Sequence, residues 1–181
     1  VRAAITYSDD GKLYTTVRQY SEAIYYFGLL ARQDIIDELG FEYDGTIESL
    51  TDLMRAMKEK TGSYVLTTRN GVGLMVDFWA SMFGAHMQSE VGWNDLVGKY
   101  TFKGNDDALF KELTWLNQLY TEGLLDPEWA LNSTEMWEEK MSSGKADMTI
   151  DYLTRCEGFT DAVRAEDPNA SYELRAIAMP V

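Results

Sequence analysis

The sequence predicts an α/β fold, in which helices pack on a β-sheet. An amphipathic helix is expected over residues 108–122, and Gly123 and Pro127 end it. A second, shorter helix is expected over residues 135–141, followed by Gly144 and then by the strand-like run Ala-Asp-Met-Thr-Ile. Helices and strands that alternate along a chain in this way form layered α/β structures.

The first of these helices carries apolar side chains at helical spacing, and this stripe is expected to face the core. Its members are Leu109, Leu113, Leu116 and Tyr120, with Phe110 and Asn117 beside them. The side chains expected to face water are Lys111, Glu112 and Gln118. The pattern therefore predicts which side of the helix is buried.

The chain before this helix supplies further elements. Strands are expected at residues 12–17, 23–31 and 64–68, and the second is a continuous apolar run of the kind that is buried on both faces. Helices are expected at Gln33–Leu39, closed by Gly40, and after the turn at 44–46, closed by Gly62. The core positions of the longer helix are Leu50, Leu53, Met54 and Met57.

A further helix is expected after the glycines at 71 and 73, with a broad apolar arc. That arc consists of Met75, Phe78, Trp79, Met82 and Phe83. Residues 91–104 predict a short surface hairpin, in which Trp93 and Tyr100 are either clamps or exposed packing residues.

Two polar triplets are explained by helix capping. Residues 105–107 lack the spaced oxygen ligands and the terminal glutamate of an EF-hand, so capping of the following helix is the better interpretation. Residues 132–134 match a glycosylation sequon, and capping explains them equally well.

Composition excludes several classes of function. The 181 residues include 16 basic and 30 acidic side chains, and the net charge of −14 repels the phosphates of nucleic acids, so we expect no nucleic-acid partner. The single cysteine and single histidine, Cys156 and His86, form no metal-ligand cluster, and no metal or cofactor is expected. No apolar run approaches the ~18 residues of a membrane-spanning helix.

Five motifs, in their order and spacing, resemble those of one protein family. They are DGKLYTTV, LLARQDIIDELG, TIESLTDLMRAMKEKTG, LTWLNQLYTEGLLDP and EEKMSSGKADM. Together they resemble the second lobe of the extracellular solute-binding proteins of bacterial ABC importers, above all the carbohydrate-binding branch (family 1). The similarity covers nearly the whole chain.

This resemblance implies a fold, a function and partners. The fold would be a helix-rich lobe of the type II periplasmic-binding-protein fold, with a central mixed sheet flanked by helices. Residues 1–181 would form a single domain, the second (C-terminal) lobe, excised at the hinge crossings. The function would be non-enzymatic binding of an extracellular solute, most often a mono- or oligosaccharide, by closure of two lobes around it. The partners would be the first lobe of the same protein and the ABC permease subunits, and the location the cell surface, as a lipoprotein, or the periplasm.

Candidate ligand-binding residues lie where strands end. In open α/β sheets ligands collect outside the carboxyl ends of strands, so Arg69, Asn70 and Asp77 are expected to form a polar rim. Trp79 is interpreted in two ways, as a core residue on the apolar arc or, as the resemblance implies, as an aromatic platform under a sugar ring.

The strand at 146–150 leads to a second candidate group. Asp151 can accept hydrogen bonds from sugar hydroxyls, Tyr152 can stack on a pyranose, and Arg155 follows on the next helix. The alternative is that Asp151 only caps that helix. The resemblance also places Arg18 and Tyr20 at a loop that contacts ligand, although they would equally suit a solvated turn. The carbohydrate branch often has a tryptophan near this position, where this chain has Leu153 and Thr154.

Two other functions remain open at this point. A carbohydrate-active enzyme needs only two well-placed carboxylates, and acidic residues are plentiful here, although no motif singles out a pair. A binding lobe that serves a membrane sensor would have the same sequence features as one that serves an importer.

Overall fold

The structure is a computed structural model, and it describes residues 27–69, 71–84, 91–94, 98–102 and 107–180. The strand predicted at 12–17 and the candidate ligand contacts Arg18, Tyr20 and Asn70 lie outside the described residues. Within the described residues, no helix is both long enough and apolar enough to span a bilayer.

The described chain alternates helices with strands, as the sequence predicts. The strands are β1 (Phe27–Arg32), β2 (Tyr64–Thr67), β3 (Val91–Asn94), β4 (Lys99–Phe102), β5 (Ala146–Tyr152) and β6 (Leu174–Ile177). The helices are α1 (Gln33–Leu39), α2 (Ile47–Thr61), α3 (Gly71–Ala80), α4 (Asp107–Thr121), α5 (Thr134–Ser142) and α6 (Arg155–Glu166). Short 3-10 turns occupy Ser81–Phe83 and Trp129–Leu131.

Four strands form the central sheet, in the order β2–β5–β1–β6. β2 and β5 are parallel, whereas β1 is antiparallel to both of its neighbours, β5 and β6. The sheet is therefore mixed, and the predicted fold class is confirmed. On the outer side of β2, the chain after α4 adds an isolated bridge between Leu66 and Leu125.

The predicted helix ends are confirmed by backbone geometry. The Thr46 hydroxyl accepts a hydrogen bond from the Ser49 N–H and so caps the start of α2. Gly123 follows the end of α4 with φ of 66°, a left-handed conformation that costs glycine little and other residues more. Ser133 caps α5 through a bond from the Met136 N–H, as the capping interpretation of residues 132–134 requires.

The core lies on both faces of the sheet. Leu29 of β1 belongs to the larger cluster, under α1 to α4, and the next residue, Leu30, belongs to the smaller one, under α5 and α6. Successive side chains of a strand point to opposite faces, and a run of apolar residues suits a strand that is covered on both. The predicted core positions of α2, from Leu50 to Met57, are fully buried.

The predicted face of α4 is wrong. The structure buries Ala108, Glu112, Trp115, Leu116 and Leu119, and it exposes Phe110, Leu113 and Tyr120. Trp115 determines this orientation, because its ring lies 4.9 Å from the Trp79 ring and its Nε1 donates a 3.0 Å hydrogen bond to the Thr51 hydroxyl. Only Leu116 of the four predicted core positions is buried.

The predicted surface hairpin is present as β3 and β4. The two strands pair antiparallel, with Trp93 opposite Tyr100. The Tyr100 side chain is 72% exposed, so it is a surface residue and not part of the core.

Candidate ligand-binding site

The register of two strands brings the predicted site residues together. β2 and β5 run in parallel with Thr67 beside Thr149, so their carboxyl ends meet at one edge of the sheet. Arg69 and Asp151 each come two residues after this Thr67–Thr149 pair, and their side chains are in contact. We call this edge, with Arg69, Asp151, Tyr152 and Arg155, the carboxyl edge.

Arg69 and Asp151 form a bidentate ion pair. Arg69 Nε lies 2.5 Å from Asp151 Oδ2, and Arg69 Nη2 lies 3.1 Å from Asp151 Oδ1. The hydrogen bond with Asp151 raises the pKa of Arg69, and Glu138 is among the charges that act in the same direction. Such a pair fixes the plane of the guanidinium group, and no hydrogen bond joins Nη1 of Arg69 to another described residue.

Arg155 joins the same group from helix α6. Its Nη1 lies 3.0 Å from Glu138 Oε1 on α5, and its Nε lies 3.8 Å from Asp151 Oδ1. Both guanidinium groups also lie 5.3 Å from the centre of the buried Trp137 ring, within the range of a cation–π contact. Trp137 is held in turn by a 2.7 Å bond from its Nε1 to the Thr149 hydroxyl.

An aromatic pair adjoins these charges. Phe27 starts β1 directly opposite Tyr152 at the end of β5, and the two rings lie 4.1 Å apart between centroids, tilted by 50°. Tyr152 is half-buried and Phe27 is 37% exposed. Leu153, the next residue, is also exposed. The carboxyl edge thus has partly exposed aromatic rings and guanidinium groups on consecutive residues of one strand end and its neighbours, a combination that suits a ligand with both an apolar face and hydroxyl groups.

Two predicted roles are corrected by burial. Asp151 has no exposed surface, and both of its oxygens are already engaged, by Arg69 and by the Tyr152 N–H. It holds Arg69 in place rather than accepting a hydrogen bond from a sugar, and it does not cap α6. Trp79 also has no exposed surface and packs edge-on against Trp115 and Phe78, so its interpretation as a core residue is correct and a sugar platform is excluded.

Asp77 lies half-buried on α3. Sequence analysis missed Phe27 and Glu138. Phe27 was part of a predicted strand, but its partner strand could not be inferred, and Glu138 was one acidic residue among several on α5.

A buried polar network supports the carboxyl edge from below. Lys140 Nζ donates to Asp126 Oδ2 and to Asn132 Oδ1, each at 2.8 Å. The Asn132 amide then donates to the Thr68 carbonyl at 3.0 Å. Thr68 immediately precedes Arg69, so the network fixes the backbone from which Arg69 extends.

Among the described residues, two open cavities stand out, and only the smaller lies next to the carboxyl edge. The larger, of about 550 Å³, lies at the opposite edge of the sheet, around the ends of α2 and α5. The smaller, of about 270 Å³, lies between α5 and α6 with Arg155 and Glu138 in its wall. Among the residues that the structure describes, no three His, Cys, Asp or Glu side chains are grouped to hold a metal ion.

Comparison with known structures identifies the fold. The alginate-binding protein AlgQ2 superposes with a TM-score of 0.70 at 18% identity, over 93% of this chain and 35% of that protein. The chain has the periplasmic-binding-protein fold. A chitin oligosaccharide binding protein shares this fold with a TM-score of 0.65 at 19% identity, over 96% of this chain and 41% of that protein.

Sequence comparison agrees with this fold. No family model matches the chain. Lipoprotein LipO of Bacillus subtilis (strain 168) is 24% identical in an alignment of 153 positions, which covers 77% of this chain and 29% of that protein. The chain therefore spans between 29% and 41% of the length of these three proteins. The resemblance to solute-binding proteins, expected from the five motifs, is confirmed at the level of the fold.

Proposed function

We propose that this chain is one lobe, the second, of a two-lobed bacterial solute-binding protein that delivers a saccharide to an ABC importer. The observation that carries the proposal is the carboxyl edge, where Tyr152, stacked with Phe27, directly follows Asp151, the residue that binds Arg69 and approaches Arg155. The similarity to proteins named for alginate and chitin oligosaccharide binding supports a saccharide ligand.

Each residue of the edge has a distinct part in binding. The aromatic pair covers the apolar face of a sugar ring, and Arg69 Nη1 donates to a ring hydroxyl. Asp151 and Trp137 hold the two guanidinium groups in position, so that little side-chain freedom is lost when the ligand binds. The opposite wall of the cleft belongs to the other lobe. Closure of the two lobes about a hinge buries the ligand between them, and hinge closure around a ligand is a common domain motion.

The proposal extends to partners and location. The closed, liganded form is the one that the permease subunits recognise. The match to a lipoprotein supports anchoring at the cell surface or residence in the periplasm.

The test is a titration monitored by heteronuclear NMR. This method detects the weak binding that is expected of a single lobe. The 181-residue chain is titrated with mono- and oligosaccharides, and with amino acids and short peptides for comparison. Amide signals of Tyr152, Leu153 and Arg155 are expected to shift with a saccharide. Tyr152→Ala should weaken that binding about tenfold, because a stacking surface worth roughly 1.4 kcal/mol is lost.

Tyr120→Ala is the matched control, because Tyr120 is 51% exposed near the end of α4, and the chain that follows contacts Lys58 of α2, before β2 begins. It should leave the affinity unchanged. If only peptides or amino acids shift the signals, the saccharide assignment fails. If Tyr120→Ala weakens binding as much as Tyr152→Ala, the ligand binds elsewhere.

A further inference from the structure

The charges at the carboxyl edge are balanced within the described residues. Arg69 pairs with Asp151 at 2.5 Å, and Arg155 pairs with Glu138 at 3.0 Å and approaches Asp151 at 3.8 Å. Two guanidinium groups therefore face two carboxylates. A ligand that brings its own carboxylate would place three negative groups around two positive ones.

The two carboxylates differ in accessibility. Asp151 is completely buried and is bound by Nε and Nη2 of Arg69. In contrast, the Glu138 side chain is 44% exposed and the Arg155 side chain is 36% exposed. The Glu138–Arg155 pair also lies in the wall of the 270 Å³ cavity, where solvent and ligand groups can reach it. Glu138 is thus the one of the two that meets an incoming ligand.

The exposed pair contributes little to folding, since surface ion pairs are worth at most about 1 kcal/mol. Its effect on a ligand is different. Because Glu138 is attached to the same fold as Arg155, its carboxylate is present at a high effective concentration, and a free carboxylate must compete with it for the guanidinium group. The hydroxyl of a neutral sugar can accept from the same arginines, at Arg69 Nη1 or Arg155 Nη2, and it carries no charge for the Glu138 carboxylate to repel.

We propose that Glu138 is a specificity-determining residue, which makes this lobe prefer neutral saccharides to acidic ones by occupying Arg155. This inference rests on the proposed saccharide function and adds to it a residue that selects by charge. The net charge of −14 disfavours anionic ligands in the same direction, but at long range and without regard to position.

The test compares pairs of oligosaccharides that differ only in the oxidation of C6. Trisaccharides of mannose and of mannuronate, and of galactose and of galacturonate, are titrated into the 181-residue chain and followed by NMR. The wild-type chain is expected to bind a neutral trisaccharide more tightly than its acidic counterpart. Glu138→Gln should raise the affinity for the acidic member about fivefold relative to the neutral one, and added salt should reverse the gain.

Glu139→Gln is the matched control. Glu139 is the next residue of α5, its side chain is 63% exposed, and it pairs with Lys145 instead of Arg155. It removes the same charge from the same helix, so an effect of net charge alone would appear in both variants. Thermal unfolding of each variant checks that the fold is intact.

The outcomes separate the inference from the function on which it rests. A gain in acidic-sugar binding that is confined to Glu138→Gln supports the inference. If the wild-type chain binds the acidic trisaccharide as well as the neutral one, or if Glu138→Gln leaves their ratio unchanged, the inference is wrong and the saccharide function stands. If neither member of any pair binds, the saccharide function fails and the inference fails with it.

Discussion

Lys140 and Asp126 form a buried ion pair beneath the carboxyl end of β2, with 2.8 Å between Lys140 Nζ and Asp126 Oδ2. Their side chains are 11% and 1% exposed, so both charges have largely left water. Burial alone raises the pKa of Asp126, but the hydrogen bonds from Lys140, Asn132, Glu128 N–H and Thr67 outweigh it, and the pKa lies below its ordinary value. The carboxylate is therefore charged and fully satisfied in the folded protein.

Lys140→Met should destabilise the protein by about 3 kcal/mol. The substitution keeps most of the side-chain volume but leaves the Asp126 carboxylate buried without its cation, which is the costly way to break such a pair. Urea unfolding at neutral pH measures the loss. The control is Lys145→Met. The Lys145 side chain is 59% exposed, so this substitution should cost less than about 0.5 kcal/mol of stability. Equal effects of the two substitutions would show that the Asp126 pair is not important for stability.

Asp126 should also make the fold sensitive to acid. Because its folded pKa is depressed, it contributes stability above the ordinary aspartate pKa, about 3.9, and this contribution is lost as the pH falls below that value. Asp126→Asn should therefore be less stable than the wild type at pH 7 and approach it at low pH. Unfolding curves recorded between pH 7 and pH 3 test this, and a constant difference at every pH would contradict it.

Asp147 should behave in the opposite way. Burial raises its pKa more than the hydrogen bonds from Ser63 and Thr61 lower it. A folded pKa above the unfolded one means that stability falls as the pH rises through the interval between them. Asp147→Asn keeps an acceptor oxygen for the two hydroxyls and removes the charge, so it should be at least as stable as the wild type at pH 7.5, with a smaller advantage at pH 4.5.

Asp161→Asn is the control for this substitution, because Asp161 is exposed on α6 and loses the same charge. Urea unfolding at both pH values provides the comparison. A clear loss of stability in Asp147→Asn at pH 7.5 would mean that the carboxylate is favourably paired in the folded state and would refute the prediction.

Two glycines should respond to alanine in opposite directions. At Gly123, φ is 66° and an added β-carbon would lie 2.5 Å from Lys58 Nζ, which donates to the Gly123 carbonyl. Gly123→Ala should cost about 1–2 kcal/mol. At Gly73, within α3, a β-carbon meets open space, and Gly73→Ala should stabilise by about 0.5–1 kcal/mol through helix propensity. Thermal unfolding of the two variants distinguishes the signs.

Much of the fold could be predicted from local signals, because helix ends and buried strands leave strong marks in the sequence. The glycines at 62 and 123 and the cap at Ser133 act within a few residues of their helices. The buried face of α4 could not be predicted in the same way. That helix has apolar residues on two sides, and periodicity does not reveal that the Trp115 side packs against Trp79.

The same distinction applies to the candidate site. Arg69 and Asp151 could each be predicted to lie at the carboxyl end of a strand, where ligands collect in open α/β sheets, but their contact follows from the parallel pairing of β2 and β5. Phe27 and Glu138 could not, because they reach that edge from an antiparallel strand and from a helix. The burial of Asp151 depends on its pairing with Arg69, a contact between residues far apart in sequence, so its supporting role could be seen only in the folded molecule.

The mixed sheet also imposes an order on biosynthesis. β1 is central, yet Leu29 pairs with Ile150 on one side and with Ile177 on the other, so its nearest partner is roughly 120 residues away along the chain. During translation β1 therefore leaves the ribosome long before β5 and β6 are synthesised, and this apolar strand stays unpaired in this sheet until then. Pairing over such distances slows folding and exposes the strand to aggregation in the meantime. Loss of β5 and β6 from a truncated product would leave β1 with no partner in this sheet.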